Sequence, residues 1–174
     1  MIALRCHQNA RRELTAGYTP DLPPAKDVYE LAWNCETEYN LNKIREELQD
    51  SRNTAEYRNF GVNVGSLISM ITNWFYNEYP NALPSMKYEG KNDSLHFANM
   101  AKWNATETAC SFGSYDNGNS AMMICAYNVK GAVVGETIYE IAKAGEYPCK
   151  EGTECGTDGK CVNGLCKVPI GIHG

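Results

Sequence analysis

Residues 110–127 read CSFGSYDNGNSAMMICAY, and this stretch indicates most clearly how the chain folds. Residues 111–120 are rich in Gly, Ser, Asn and Asp, which are typical of turns. Residues 121–127 form an apolar run of the length of a buried strand, and residues 133–139 are rich in β-branched side chains. These patterns predict strands joined by short turns in a small antiparallel sheet.

Helical patterns precede this stretch. Residues 6–17 (CHQNARRELTAG) are compatible with a helix that Gly17 and the prolines after it would end. Between residues 28 and 48, and again between residues 64 and 75, apolar side chains recur three or four positions apart, as on an amphipathic helix. A short helical turn is expected at residues 97–101. Because helices come first and strands later, the order favours an α+β domain over alternating βαβ units.

The composition predicts a globular protein of one domain. With 174 residues, the chain has enough volume for a sizeable core. Its mean hydropathy is −0.46, and no apolar run approaches the roughly 18 residues that a membrane span needs. Sixteen Lys and Arg residues against 21 Asp and Glu residues give a formal net charge of −5. The lack of a long apolar run predicts that no segment spans a membrane. The negative net charge predicts no nucleic-acid partner and no binding to anionic lipid, because no basic field exists to hold either one.

The cysteines predict a protein stabilised by disulfide bonds. Four of the eight cysteines lie in the last 26 residues, among Gly, Asp and Lys, where little can form a core. Zinc is the competing interpretation, but tail cysteines six, six and five residues apart fit the close pairs of zinc sites less well. We expect the tail cysteines to pair mostly with one another. Disulfide bonds are expected at Cys6, Cys35, Cys110, Cys125, Cys149, Cys155, Cys161 and Cys166.

Disulfide bonds indicate an oxidising compartment, so we expect a secreted, extracellular protein. The sequence opens MIALRCHQNARR, which has no signal-peptide pattern. We therefore expect a mature chain to which Met1 was added for expression. Two N-x-[ST] tripeptides make Asn92 and Asn104 candidates for N-glycosylation, which fits a secretory route.

Several short segments together resemble one known family. They are His7-x-x-x-Arg11 with Gly17, residues 31–36 (LAWNCE), residues 95–100 (LHFANM) followed by Cys110, and residues 125–131 (CAYNVKG) followed by Gly135 and Tyr139. In this order they resemble the CAP superfamily of cysteine-rich secretory, antigen 5 and pathogenesis-related 1 proteins, in particular the secreted ASP-type proteins of parasitic nematodes. The resemblance implies a three-layer α-β-α sandwich. We expect residues 1–145 to form a single CAP domain and residues 146–174 a short cysteine-rich extension.

The resemblance also implies a cleft, of which this sequence keeps half the usual side chains. CAP proteins commonly carry two histidines and two glutamates there, a set able to hold zinc. His96 and Glu78 match two of these positions, whereas Tyr57 and Val62 stand at the other two. One imidazole does not anchor a divalent ion alone, so we expect no metal, no cofactor and no enzyme activity.

A residual hydrolase is the catalytic alternative. His96 and Glu78 could act as an acid–base pair without metal if a nucleophile lay within reach, and Ser94 is the candidate by its place in the sequence. The simpler interpretation is a cleft-lining histidine held by a carboxylate. We interpret His7 as a hydrogen-bonded packing residue. Family position further implies a disulfide between Cys35 and Cys110.

Because the cleft set is incomplete, we expect function in surface recognition. The resemblance among hookworm-type members is to those that block platelet integrins, which implies a secreted parasite effector that inhibits platelet aggregation and adhesion. Integrin antagonists present a carboxylate to a receptor cation, often beside a basic residue. The candidate contact residues in loops are Lys91, Asp93, Asp116, Asp158 and Lys160. The alternative explanation for each is that it is an ordinary residue of a turn. Sterol or fatty-acid carriage is the alternative, and we expect a monomer.

Overall fold

The computed structural model describes residues 2–51, 63–65, 70–79, 85–115, 120–151, 154–155 and 159–168. Its helices are α1 (Ile2–Ala16), α2 (Cys35–Ser51), α3 (Met70–Tyr76) and α4 (Leu95–Ala101), with a 3₁₀ turn at Asn92–Ser94. Its strands are β1 (Ala25–Lys26), β2 (Ala32–Trp33), β3 (Asn63–Gly65), β4 (Glu107–Tyr115), β5 (Ser120–Tyr127), β6 (Glu140–Ile141), β7 (Glu154–Cys155), β8 (Gly159–Val162) and β9 (Leu165–Lys167). Among the helices in these ranges, none combines the length and the hydropathy that a membrane-spanning helix needs.

The central sheet lies between two layers of helices, as the α-β-α expectation requires. Its strand order is β2-β4-β5-β3, with β4 and β5 antiparallel and β2 parallel to β4. On one face, Leu41 of α2 packs with Ala109 and Ile124 of the sheet. On the other face, α1, α3 and α4 form the main core with Phe75, Phe97 and their neighbours. The expected fold class is therefore confirmed. The sheet is mixed rather than wholly antiparallel, because β2 is parallel to β4 and only β4-β5-β3 is antiparallel.

Polar contacts fix α2 on its face of the sheet. Arg45 Nε of α2 donates to Ser111 Oγ at 2.9 Å, and Ser111 Oγ donates to Asn42 Oδ1 at 2.6 Å. The Arg45 guanidinium occupies the place that a Cβ at Gly113 would take. A side chain at position 113 would therefore displace the arginine.

Arg11 of α1 is buried, and it holds together three segments that are distant in sequence. It donates five hydrogen bonds to carbonyl oxygens, of Tyr29 (2.9 Å), Met100 (2.7 Å), Lys102 (3.0 Å), Trp103 (3.2 Å) and Ala105 (3.1 Å). Burial lowers the pKa of Arg11 to about 9, so the guanidinium stays charged at neutral pH. These bonds fix the segment before β2 and the turn after α4 against α1.

His7 lies one helical turn before Arg11 and is also buried. Its ring Nδ1 is 2.9 Å from Ala3 O, and its Nε2 is 2.8 Å from Tyr127 Oη. Because a carbonyl oxygen only accepts, Nδ1 carries the proton of the neutral ring and Nε2 accepts from the tyrosine hydroxyl. His7 is thus the hydrogen-bonded packing residue that the sequence predicts.

The tail folds as a small sheet of three antiparallel strands, β7-β8-β9, closed by two disulfide bonds. These are Cys149–Cys161 and Cys155–Cys166. The sheet attaches to the rest of the chain through Cys166, whose carbonyl accepts from Glu30 N at 2.7 Å and whose N–H donates to Val28 O at 2.9 Å. The prediction that the tail cysteines pair with one another is confirmed.

The other cysteines pair differently from the expectation. Cys110 is bonded to Cys125, so the predicted Cys35–Cys110 disulfide is wrong, and so is the expectation of disulfides at Cys6 and Cys35. The register of β4 and β5 places Cys110 directly opposite Cys125, with 4.0 Å between their Cα atoms. Cys35 is exposed at the start of α2, and Cys6 is a half-buried thiol on α1.

Element boundaries also differ where tertiary pairing overrides the local pattern. The helix predicted from residue 28 begins at Cys35, because residues 28–33 pair with the tail and with β4. Val64 lies in β3 rather than in a helix. Residues 111–115, predicted as a turn, continue β4. Residues 133–139 are not a strand, because Glu136 N donates to Val133 O across a turn in which Gly135 has a φ of 86°.

Arg11→Lys tests the role of the buried guanidinium. A lysine has three donors on a compact head and does not reach five carbonyls, and each buried carbonyl left without a donor costs about 1–3 kcal/mol. We expect urea unfolding to show a loss of about 3 kcal/mol or more in the free energy of unfolding. Arg12→Lys, on a partly exposed side chain 3.7 Å from Glu30, is the control and should cost less than about 1 kcal/mol. Equal losses would contradict this role.

The buried His7 predicts a stability that falls in mild acid. Desolvation lowers the pKa of His7 to about 4, whereas an unfolded imidazole titrates near about 6.5, so the unfolded chain binds more protons between these values. Its contribution is complete above about pH 6.5 and declines by about 3 kcal/mol as the pH falls to about 4. Urea unfolding at three pH values should give a shallower dependence for His7→Gln than for the original chain; identical slopes would refute the neutral buried imidazole.

Candidate functional site

Glu78 and His96 meet beside α3 and form the centre of the candidate site. Glu78 lies in the turn that follows α3, and His96 lies in the first turn of α4. Glu78 Oε1 is 2.7 Å from His96 Nδ1, and both side chains are mostly buried. The structure therefore brings together the two side chains that the sequence assigns to the cleft.

The second oxygen of Glu78 caps α4. Glu78 Oε2 accepts from the backbone N–H of His96 at 2.9 Å and of Phe97 at 3.1 Å. Ser94 stands at the N-cap position but makes no capping hydrogen bond. A carboxylate at this point satisfies helix N–H groups and interacts favourably with the helix dipole. Glu78 thus stabilises the start of α4, a structural role that needs no catalysis.

Trp74 supports the imidazole from the side of α3. The indole and imidazole rings stack at 5.1 Å between centroids with an interplanar angle of 6°. Trp74 is almost fully buried, as predicted for a core residue. The stacking was not predicted, because the helical pattern places Trp74 on a buried face without showing which side chain it meets. The ring of His96 is therefore held by one carboxylate and one aromatic face.

The residues that the chain supplies do not fit a zinc ion of the CAP type. Tyr57 and Val62, at the two remaining cleft positions, lie outside the described residues. Neither side chain adds an imidazole or a carboxylate, and both oxygens of Glu78 already accept hydrogen bonds. Zinc in proteins is usually bound by four ligands that include several His, Cys or carboxylate groups. We derive no metal chemistry for this site.

Ser94 is not positioned as the nucleophile of the hydrolase alternative. Its side chain is buried, and its hydroxyl donates to Lys91 O at 3.3 Å. A nucleophilic serine needs to pass its proton to a base, but the Ser94 hydroxyl proton is hydrogen-bonded to a backbone carbonyl oxygen. The His96–Glu78 pair therefore matches the simpler interpretation of a histidine held by a carboxylate.

The loop before α4 presents Lys91, Asn92 and Asp93 at the surface. The Lys91 carbonyl accepts three hydrogen bonds, from Tyr88 Oη at 3.2 Å and from Ser94 N and Oγ at 3.3 Å each. The Lys91 ammonium is 3.1 Å from Glu89 Oε2 in an exposed ion pair. The backbone of this loop is thus held by hydrogen bonds, and Lys91 and Asp93 are exposed.

The remaining loop candidates are distributed differently. Lys160 is exposed on β8, directly across from Lys167 of β9. Asp116 and Asp158 lie outside the described residues. Lys91 and Asp93 are therefore the candidate pair whose surroundings can be described.

Lys102 is a buried charge near the site that sequence reasoning did not interpret. The resemblance gives a tryptophan at this position. Lys102 Nζ donates to Glu136 Oε2 at 3.0 Å, and the hydrogen bond from Lys102 is the main reason that the pKa of Glu136 is lowered. The contact ties the end of α4 to the turn at residues 133–136. A lysine at a family tryptophan position is the signal that would have suggested a carboxylate partner.

Comparison with known proteins gives a family match over most of the chain. The model of the cysteine-rich secretory protein family, CAP, matches residues 4–127. Among curated proteins, the chain is similar to the Ancylostoma secreted protein of Ancylostoma caninum, with 26% identity over 178 residues. The matched region covers 92% of this chain and 40% of that protein. The chain thus spans less than half the length of that relative.

Solved structures show the same fold. Na-ASP-1 has a TM-score of 0.76 and 24% identity, with 97% of this chain and 45% of that chain covered. BmVAL-1 has a TM-score of 0.77 and 21% identity, with 97% and 93% covered. The hookworm platelet inhibitor has a TM-score of 0.70 and 18% identity, with 96% and 88% covered. At these identities, the likeness establishes a shared fold.

Glu78→Ala tests the structural role of the carboxylate. The substitution removes the acceptor for two helix N–H groups and for the imidazole, so we expect the free energy of unfolding to fall by about 1–3 kcal/mol. In ¹H–¹⁵N spectra, the amide signals of His96 and Phe97 should move most. Glu89→Ala, in an exposed ion pair, is the control and should have little effect. Unchanged stability and unmoved amide signals in Glu78→Ala would rule out the cap.

Proposed function

Because the chain belongs to the CAP family of cysteine-rich secretory proteins, we propose that it is a secreted, non-catalytic effector that binds a host cell-surface receptor. Platelet integrins are the first receptor to test, and the outcome would be reduced platelet aggregation and adhesion. The similarity to a nematode secreted protein supports the secreted, ASP-like part of the proposal. A neighbour in fold that is named as a platelet inhibitor supports the choice of platelets as the first cells to test.

The observation that carries the proposal is the fixed, exposed loop at Lys91 and Asp93. Three hydrogen bonds to the Lys91 carbonyl hold its backbone. A loop that is already ordered loses less entropy on binding. Asp93 is exposed and carries a carboxylate, a group that suits a hard divalent cation on a receptor, and Lys91, which is paired with Glu89, lies two residues before it. The proposed contact is therefore Asp93 to the receptor cation, with Lys91 beside it.

The cleft gives catalysis little support. Glu78 is hydrogen-bonded to the His96 imidazole and to the N–H groups at the start of α4. The Ser94 hydroxyl donates to the Lys91 carbonyl. Among the described residues, a pocket lined by Asn34, Glu107 and Asn128 has a volume of about 30 Å³ and a mixed polar and apolar lining, so this pocket suits a water molecule rather than a sterol. Receptor binding is thus the function that we put forward.

Binding to purified platelet integrin, measured by surface plasmon resonance with Mg²⁺ and with EDTA, tests the proposal. We expect cation-dependent binding that Asp93→Ala weakens about tenfold or more, equivalent to about 1.4 kcal/mol. Glu140→Ala is the control, because Glu140 is also an exposed acid, in β6 away from this loop. Platelet aggregation should fall with added protein, and less with Asp93→Ala.

Two results would count against these statements. Normal aggregation and no integrin binding at micromolar protein would refute the receptor. Binding that Asp158→Ala abolishes and Asp93→Ala leaves intact would instead assign the contact to the C-terminal tail.

A further inference from the structure

We propose that Asn104 is the N-glycosylation site of the secreted chain, and that Asn92 stays largely unmodified. Both residues begin an N-x-[ST] tripeptide, which is the acceptor sequence for N-linked glycans. The inference rests on the secretory route in the proposed function and is independent of the receptor. The two sites differ in their structure and in their chemistry.

Asn104 lies on a turn whose backbone is bound from the inside. Ala105 N donates to Lys102 O at 3.2 Å and closes the turn. Arg11 binds the carbonyl oxygens of Lys102, Trp103 and Ala105 from within the core. Asn104 itself is exposed, and among the described residues its side chain makes no hydrogen bond. A glycan on Asn104 would therefore project into solvent and break no contact of the fold.

Thr106 completes this acceptor sequence and becomes ordered only when the chain folds. Its hydroxyl accepts from Asn128 Nδ2 at 2.8 Å, and Asn128 Oδ1 accepts from Thr106 N and Glu107 N at 3.0 Å each. The transferase needs the threonine hydroxyl, so transfer precedes these bonds. Once the chain has folded, they fix the base of the glycosylated turn.

Asn92 is also exposed, but its acceptor sequence is chemically weaker. The middle residue is Asp93, whose negative charge repels the pyrophosphate of the sugar donor. The third residue is Ser94, which lacks the methyl group that a threonine would add to the transferase contact. We therefore expect little transfer to Asn92.

The positions of the two sites also matter for function. Asn92 precedes α4 and Asn104 follows it, so seven helical residues, about 10 Å of helix, separate them. A glycan on Asn104 would be attached at the far end of α4 from the loop at Lys91 and Asp93, whereas one on Asn92 would be attached within that loop. Modification at Asn104 alone is thus compatible with the proposed receptor contact.

The transfer needs one co-reactant, an oligosaccharide linked to a lipid pyrophosphate. The Asn104 amide nitrogen forms a bond to C1 of the first sugar as the bond from C1 to the pyrophosphate oxygen breaks. The lipid pyrophosphate leaves with the bonding electron pair, and the amide loses one proton to a base of the transferase. No electron transfer is involved.

The test is expression of the chain behind a secretion leader in insect cells, followed by intact mass and peptide mapping. Peptide N-glycosidase in H₂¹⁸O converts each glycosylated Asn to labelled Asp, so the original chain reports both sites without any variant. We expect label at Asn104 and a mass increase of one glycan. Asn104→Gln should lose that mass completely, and Asn92→Gln should keep it.

The opposite outcomes overturn the inference. Label mainly at Asn92, equal label at both sites, or secretion of a folded chain without glycan would each refute it. None of these results depends on integrin binding. The glycosylation proposal and the receptor proposal are therefore tested independently.

Discussion

The rest of the structure depends on one buried cation. Arg11 places a planar guanidinium between α1, the segment before β2 and the turn after α4, and it binds five carbonyl oxygens there. Met100 lies in the last turn of α4, and the other four carbonyls lie outside the helices and strands. Lys102 O also accepts from Ala105 N and Trp103 O from Tyr29 N, whereas a buried carbonyl left without any donor would be costly. The guanidinium fork supplies the donors in one rigid group. Both the candidate site and the tail sheet are attached to backbone that this contact fixes.

The tail connects to the same framework. Arg11 binds the Tyr29 carbonyl, and the neighbouring residues Val28 and Glu30 pair with Cys166 of the tail. Cys166 is itself bonded to Cys155, so a segment with little core of its own is held by sulfur and by three residues of extended backbone. Leu165 of the tail is also buried in the main core, so the tail is attached by side-chain packing as well as by backbone pairing.

The candidate site contains a histidine and a glutamate, residue types that are common in catalytic sites, but their contacts stabilise the fold. A carboxylate that orients a histidine is a common catalytic arrangement, but Glu78 also caps α4 and therefore stabilises the fold directly. The same short region begins with a fixed loop and ends in a fixed turn, on either side of α4. Surface recognition needs only such fixed loops, whereas hydrolysis needs a nucleophile with a base for its proton.

The α+β class, the helical character of α1 and α4, the buried strand β5 and the pairing of the tail cysteines within the tail all follow from the sequence alone. These features depend on composition and on patterns within short segments, where interactions between residues close in sequence decide the structure. The sequence also named His96 and Glu78 as a pair, through the resemblance rather than through any spacing between them.

The partner of Cys110, the start of α2 and the role of Arg11 depend instead on contacts between distant parts of the chain. Cys110 faces Cys125 because of a strand register, and residues 28–33 are extended because the tail and β4 pair with them. The five carbonyls that meet Arg11 are up to 94 positions away in sequence. Such contacts carry no local signal, because the free energy that selects them comes from satisfying backbone groups that meet only after the chain has collapsed.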